Sequence, residues 1–366
     1  MRKYGEQMRN VKKVLFVISN ISFGGAQRVV WTLAQNMRKE GVEPMVVSVA
    51  YSTENYDLPE GVKVIRLDQK SNKQTFSTIG KMRKVINAEK PSVVISMGIT
   101  TCLFTVPALV GTRVAHIISE RNDPKSFDGK AWVKNVSRAL MKQGDGFVFQ
   151  TEEARDFYPE KIRSRGCVIP NPIMAANLPD AEPCDGNHVL VTMGRLTQQK
   201  NHRMLIDAFA CMHNTYPEYK LQIYGFGDLQ EQIADHIREK GLQDCVFLMG
   251  AHNDVLTRIQ DAEGFVLSSD FEGMPNALME AMAMGLPCIS TDCPCGGPRY
   301  LIRHGENGLL VPVGDAQAMA AAMEQLAADS TLRRSMGAAA KQLRQDLSVD
   351  KICEKWLDFC EEVIHG

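Results

Sequence analysis

Ten short runs of apolar, largely β-branched residues, arranged as two sets of five, constrain this 366-residue chain more than anything else in it. The first set is VLFVIS (14–19), PMVVSV (44–49), SVVIS (92–96), RVAHIIS (113–119) and GFVFQ (146–150). The second is HVLVTMG (188–194), KLQIYG (220–225), CVFLMG (245–250), GFVLSS (264–269) and LPCIST (286–291). The runs are continuous rather than alternating, so such strands are buried on both faces, which calls for a parallel sheet covered by helices. Between the sets lies VIPNPIMAANLPDAEPCDGN (168–187), rich in Pro, Asn and small residues and without periodicity, the mark of an interdomain connection. The chain is long enough for two domains. The expectation is an α/β protein of two doubly wound, Rossmann-like domains facing each other across a cleft. The tail 349–364 places Val349, Ile352, Trp356, Phe359, Cys360 and Val363 at helical spacing, an amphipathic helix that needs a surface to dock on.

Charge is divided along the chain. Residues 1–180 carry 27 Lys and Arg against 17 Asp and Glu, a net +10, while the remainder carries 15 against 26, a net −11. A basic half suggests a polyanionic partner, nucleic acid or an anionic membrane. No aromatic platform or recognisable module supports nucleic acid. No apolar run reaches the roughly 18 residues a membrane span needs, and the start, MRKYGEQMRNVKK, lacks the apolar stretch of a signal peptide. The expectation is a cytoplasmic protein. Ten cysteines are read as reduced thiols packed as small apolar residues, and Cys293 with Cys295 alone is too sparse for a metal site.

Ligands of open parallel sheets bind beyond the carboxyl ends of the strands. After the first strand, Gly24 and Gly25 let backbone amides approach a ligand at a helix start, although a tight turn uses the same residues. The stretch is not G-x-G-x-x-G, and no acidic residue closes the second strand, which argues against a dinucleotide. In MGRLTQQKN, Arg195 and Lys200 precede a helix; two cations there suit a diphosphate, and a solvated loop accounts for them equally. YGFGD adds Gly225 and Gly227 as a further close backbone approach to ligand. In SSDFEGMPNALMEAMAMGLP (268–287), Asp270 to Met274 form the loop after a strand. Pro275 takes the first helical position, and Gly285 ends the helix. Glu272 then stands at the cleft mouth. Glu280 lies about two turns into the helix among Ala277, Met279, Ala281 and Met284, suited to ribose hydroxyls.

G-R-L-x-x-x-K-N with Arg195 and Lys200, the pair Glu272 and Glu280 in E-x7-E, GENGLLVPVGD (305–315) and SFGGAQR resemble the signature of retaining family-4 glycosyltransferases of the GT-B fold. The resemblance implies an acceptor-binding domain over 1–172, with the helix at about 349–366 packing back on it, and a donor-binding domain over 173–348. It implies Arg195 and Lys200 on the diphosphate of a nucleotide sugar, most simply a UDP-sugar, and Glu280 on the ribose. Glu272 with the amides of Gly273, Met274, Pro275 and Asn276 would hold the transferred sugar, and Gly24, Gly25 and Gly225 complete the donor-binding set. No cofactor or metal is implied, and the chain has no D-x-D.

Two departures stand out. Many relatives carry a histidine beyond the fourth strand of the first domain, where this chain reads IISERNDP, leaving Glu120, Arg121 and Asn122 for the acceptor side and Arg121 as a catalytic candidate beside Glu272, Arg195 and Lys200. His116 reads as a core histidine. Tyr300 stands where relatives usually have Glu. SERNDP resembles enzymes building bacterial polysaccharides and undecaprenyl-diphosphate-linked oligosaccharides, which implies a lipid-linked glycan acceptor and a peripheral place on the inner face of the cytoplasmic membrane. Consistent with that, Lys130, Lys134, Arg138 and Lys142 recur every four residues, together with Lys81, Arg83 and Lys84. The simple reading of the 130–142 helix points Trp132, Val133, Val136 and Leu140 to the core and the cations to solvent. A nucleotide-sugar epimerase and a non-catalytic nucleotide-sugar-binding protein are the competing functions.

Overall fold

A computed structural model describes residues 10–21, 24–52, 60–126, 130–181 and 185–366. Most of the basic start, Ser22 and Phe23 of SFGGAQR, residues 128–129 and Cys184 lie outside these. The chain forms two compact units, the first running to Pro172 and rejoined by Val349–Gly366, the second spanning Ile173–Ser348. In the first unit the strands are β1 Lys13–Ile18, β2 Glu43–Ala50, β3 Lys63–Gln69, β4 Val93–Met97, β5 Ala115–Ser119, β6 Gly146–Phe149 and β7 Gly166–Val168. They lie in the order β3-β2-β1-β4-β5-β6-β7, all parallel. In the second they are β8 Val189–Met193, β9 Lys220–Tyr224, β10 Val246–Gly250, β11 Gly264–Leu267, β12 Cys288–Thr291 and β13 Leu309–Val311. Their order is β10-β9-β8-β11-β12-β13, again all parallel. Strand order reverses between β1 and β4 and between β8 and β11, so each sheet has a switch point where a ligand can sit beyond the strand ends.

All ten apolar runs form strands. The sequence gives no comparable signal for β3, β7 and β13: β3 is a sheet edge that interleaves buried and exposed residues, and the other two are three residues long.

The helices that matter below are α1 Gly25–Lys39, α2 Thr75–Glu89, α3 Cys102–Leu109, α4 Ala131–Met141, α5 His202–His213, α6 Asn276–Met284 and α7 Val349–His365. Met82 and Ile86 of α2 and Ala108 of α3 close over Leu15, Val17, Met45, Val47 and Val94. Leu205 and Phe209 of α5 do the same over Leu190, Leu221, Ile223 and Val266. The amphipathic tail is α7. It packs on α1 and β5 of the first unit and buries Ile352, Trp356 and Cys360. Of the nine cysteines among the described residues, all are free thiols, seven of them buried. No helix among the described residues is long and apolar enough to cross a membrane.

The simple reading of the 130–142 helix holds only in part: Lys130 and Lys142 are exposed and Val133 and Leu140 half-buried, but Trp132 and Val136 are not in the core. Ser137 and Met141 face inward, whereas Trp132 and Val136 are 53% and 41% exposed. The cause is local: Lys134 donates to the Lys125 carbonyl at 2.7 Å, and Arg138 donates to the Pro124 carbonyl and stacks over Phe157. Those two cations tie down the preceding loop, which turns the apolar stripe of α4 outward.

Two positions yield tests of the fold. Gly225 has φ +144, and a Cβ there would stand 1.8 Å from the Gly194 carbonyl oxygen. Both the backbone conformation and the contact exclude a side chain. Gly225→Ala should therefore destabilise the second unit by about 3 kcal/mol, read as a lowered denaturant midpoint. His116 is buried on β5, its Nε2 2.9 Å from Ser96 Oγ, and burial pushes its pKa down to about 3. A base depressed in the fold stabilises above its unfolded pKa, near 6.5, and that stability is lost as pH falls toward 3. Unfolding free energy should drop by up to about 1.4 kcal/mol per pH unit from this group below pH 6.5. His116→Gln should remove one proton's worth of that slope in denaturant titrations run from pH 7.5 downward.

Candidate active site

In the second unit, the loops after β8 and β11, neighbouring strands at the switch point, are stitched together residue by residue. The Asp270 amide donates to the Gln199 carbonyl at 2.8 Å, and the Gln199 side-chain amide donates to the Phe271 carbonyl at 2.8 Å. Ser268 Oγ donates to the Lys200 carbonyl at 2.8 Å. Asn201 does two things. In the left-handed conformation (φ 44) it caps α5 by accepting from the Met204 amide, and its Nδ2 donates to Asp270 Oδ1 at 2.6 Å. The start of α5 is thereby fixed relative to the loop that carries Glu272.

At the centre of this stitching, Lys200 Nζ lies 2.5 Å from Glu272 Oε1, with side chains only 15% and 8% exposed. Ser269 Oγ donates to the same oxygen at 2.7 Å, and Gln199 Nε2 approaches Oε2 at 3.4 Å. A carboxylate removed from water needs such partners, and Glu272 has three. Arg195, two residues past the end of β8, is exposed and makes no side-chain bond among the described residues. A partnered ammonium and an unpartnered guanidinium thus share one strand end. His202, the first residue of α5, is buried, and desolvation first, then the Lys200 charge, lowers its pKa to about 4, so it is neutral beside the ion pair.

The helix after Glu272 is α6, which starts at Asn276 with Pro275 as its N-cap rather than its first turn, and ends at Gly285 in the left-handed region (φ +99). Gly273, Met274 and Pro275 are buried, Asn276 and Glu280 half-buried, and Glu280 lies just over one turn into α6. The Gly273 carbonyl is closely covered by Gly297, where a Cβ would come within 1.9 Å of it. Gly225 and Gly227 follow β9 as anticipated, and their missing side chains make room for the backbone at Gly194 and Leu196, on either side of Arg195. They shape the cation-bearing loop.

A cavity of about 610 Å³ opens beyond β11, β12 and β13, lined by Asp270, Asp292, Pro294 and Leu310 to Val313. Asp270 opens the loop that bears Glu272 and Leu310 to Val313 lie within GENGLLVPVGD, whereas Asp292 and Pro294 belong to none of the sequence motifs. The cavity's two carboxylates, with Arg299 held 2.7 Å from Asp292, make it a poor host for a diphosphate compared with the Arg195 and Lys200 loop. Tyr300, next to Arg299, is 45% exposed.

In the first unit, Gly24 and Gly25 stand at the start of α1; Gly24 is extended (φ −176), a conformation open to any residue. Beyond β5, the three acceptor-side candidates separate. Glu120 is buried and turned inward, accepting from Tyr158 OH at 2.6 Å and from the Arg121 amide at 3.0 Å. Burial raises its pKa against those donors. Arg121 and Asn122 remain half-buried. The Arg121 guanidinium donates to Asn171 Oδ1, which also accepts from Gln150 Nε2 at 2.8 Å, so the ends of β5 and β6 and the IPNP segment hold it in place. Burial lowers its pKa to about 10, leaving it cationic at neutral pH.

Comparison with known proteins gives the family. A model of Glycosyltransferase Family 4 matches residues 23–176, and one of Glycosyl transferases group 1 matches residues 177–343. An uncharacterised glycosyltransferase of Haemophilus influenzae is 26% identical over 355 residues, covering 94% of this chain and 99% of that protein. The GalNAc-alpha-(1->4)-GalNAc-alpha-(1->3)-diNAcBac-PP-undecaprenol alpha-1,4-N-acetyl-D-galactosaminyltransferase of Campylobacter jejuni is 27% identical over 360 residues, covering 96% and 99%. The crystal structure of Anabaena Alr3699/HepE in complex with UDP and glucose superposes with a TM-score of 0.81 at 18% identity, covering 95% of this chain and 98% of that one. The chain belongs to the glycosyltransferases of the GT-B fold, built from a family 4 domain followed by a group 1 domain.

Proposed function

We propose that this glycosyltransferase moves a hexose or N-acetylhexosamine from a UDP-sugar to a growing, lipid-linked bacterial glycan. It does so with retention at the anomeric carbon, without a metal, at the inner face of the cytoplasmic membrane. The observation that carries the donor reading is the Lys200–Glu272 pair with Arg195 beside it at the end of β8. An ammonium has three donors, so Lys200 can keep Glu272 and also meet a diphosphate oxygen. Arg195 adds a forked donor suited to phosphate. As the sugar leaves the nucleotide, negative charge grows on the diphosphate beside the cations. Positive charge grows at the anomeric carbon, where the Glu272 carboxylate is placed to oppose it. Because the pair is largely shielded from water, both effects are weakly screened. Glu280, on α6, grips the ribose in ground and transition states alike.

The lipid-linked acceptor rests on the C. jejuni relative, whose name specifies an undecaprenol-diphosphate glycan, and on Arg121, a clamped cation beyond β5. A thermal-shift screen over UDP-, GDP- and ADP-sugars identifies the donor, since a ligand at 100 times Kd stabilises by about 2.7 kcal/mol. NMR of the product then reads its anomeric configuration; a free epimer formed without acceptor would replace this reading with an epimerase.

Arg195 is the clean probe of the diphosphate site, because it is exposed and unpartnered and its removal leaves no buried charge. Arg195→Ala should weaken UDP binding by roughly 1.5–3 kcal/mol in calorimetry with an unchanged melting temperature, and Arg195→Lys should restore only part of it. Glu280→Gln should raise donor KM with little change in kcat. Unchanged UDP affinity in the Arg195 variants would place the diphosphate elsewhere.

A further inference from the structure

The outward-facing stripe of α4 belongs to a larger surface. Helix α3 packs against both α2 and α4, and this helical layer presents four of the nine large hydrophobic residues exposed among those described. They are Phe76 on α2 (88% exposed), Val110 just after α3 (62%), and Trp132 and Val136 on α4. The layer is also nearly free of acid. Residues 70–119 hold seven Lys and Arg and a single carboxylate, Glu89, which is bound to Lys63 and Lys13; residues 130–142 hold four Lys and Arg and no carboxylate. Arg83, seven residues from Phe76 and so on the same side of α2, donates to the Val110 carbonyl at 2.7 Å, which ties the middle of α2 to the chain just after α3. Lys73, Lys84, Lys130 and Lys142 are exposed.

Exposed aromatic and aliphatic side chains set among cations, with the only acid neutralised, match the interface of an anionic bilayer: apolar groups enter the headgroup boundary while lysines meet lipid phosphates. We infer that the α2–α3–α4 layer docks the first unit on anionic lipid, with Trp132, Val136 and Phe76 as inserted anchors. This rests on the lipid-linked acceptor reading and adds the face that meets the membrane. Lys134 and Arg138 are not part of the docking charge, because they hold the 124–125 loop.

Trp132 supplies its own readout. The chain has three tryptophans, and Trp31 and Trp356 are buried, so Trp132 alone is exposed to solvent. On adding phosphatidylcholine vesicles containing phosphatidylglycerol, its emission should shift to the blue and lose access to iodide and acrylamide. Vesicles of phosphatidylcholine alone should do neither, and added salt should weaken docking. Trp132→Ala should reduce affinity in vesicle sedimentation by about tenfold, and Lys130→Gln and Lys142→Gln by roughly fivefold each, with melting temperatures unchanged. Equal affinity for neutral vesicles, or bound protein whose Trp132 is still quenched, overturns the proposal. A blue shift that follows protein concentration without lipid also overturns it, assigning the face to a second copy of the chain. The measurement uses neither donor nor acceptor. Failed docking beside transfer to a detergent-solubilised lipid-linked acceptor rejects this surface alone, whereas docking beside an inert lipid-linked acceptor rejects the acceptor reading alone.

Discussion

The buried ion pair between Lys200 and Glu272 is the interaction around which the second unit of this glycosyltransferase is organised. Neither charge is tolerable alone at its depth, so the loops that bear them are bound to each other by backbone and side-chain bonds from Gln199 to Asn201 on one side and Ser268 to Glu272 on the other. The same bonds cap α5 and fix the approach to α6. Electrostatics and local folding are therefore one problem in this unit, solved at the switch point of the sheet.

A pre-formed pair has a chemical consequence. In this structure Lys200 is already neutralised, so under the proposed donor reading a diphosphate would share it with Glu272. On that proposal the shared arrangement would weaken the hold on the nucleotide product, which has no transferred sugar facing the carboxylate, relative to the transition state, in which both charges would meet a developing opposite charge. Arg195, exposed and unpaired, makes no such compromise. The two cations at the end of β8 thus differ in role although they lie five residues apart in sequence.

Much of this was legible before any coordinates. Parallel strands buried on both faces leave short continuous apolar runs, and the ten runs read that way became ten strands, although the apolar run CLFTVPAL forms a helix. Once strand ends are known, the places where Arg195, Lys200, Glu272 and Glu280 sit follow from parallel-sheet geometry. What the sequence did not disclose is which residues pair across 72 positions, because a lysine and a glutamate carry no mark of each other. Gln199 and Ser269 escaped notice for the same reason. The close packing of Gly225 and Gly227 on the backbone at Gly194 and Leu196 was likewise not legible, because a missing Cβ does not say what fills its place. On α4, periodicity revealed a stripe but not its direction. Two cations bonding to loop carbonyls decided that, and the competition between capping those carbonyls and burying Trp132 is settled by tertiary context.

The account stands or falls on whether Glu272 restrains Lys200. Calorimetric titration of UDP into Glu272→Gln measures this directly, since glutamine keeps the size of the side chain and removes its charge. The account predicts that UDP binds about tenfold more tightly than to the unmodified protein, because the freed ammonium no longer divides its charge, while kcat for sugar transfer falls. UDP affinity that is unchanged or weaker in this variant would contradict it.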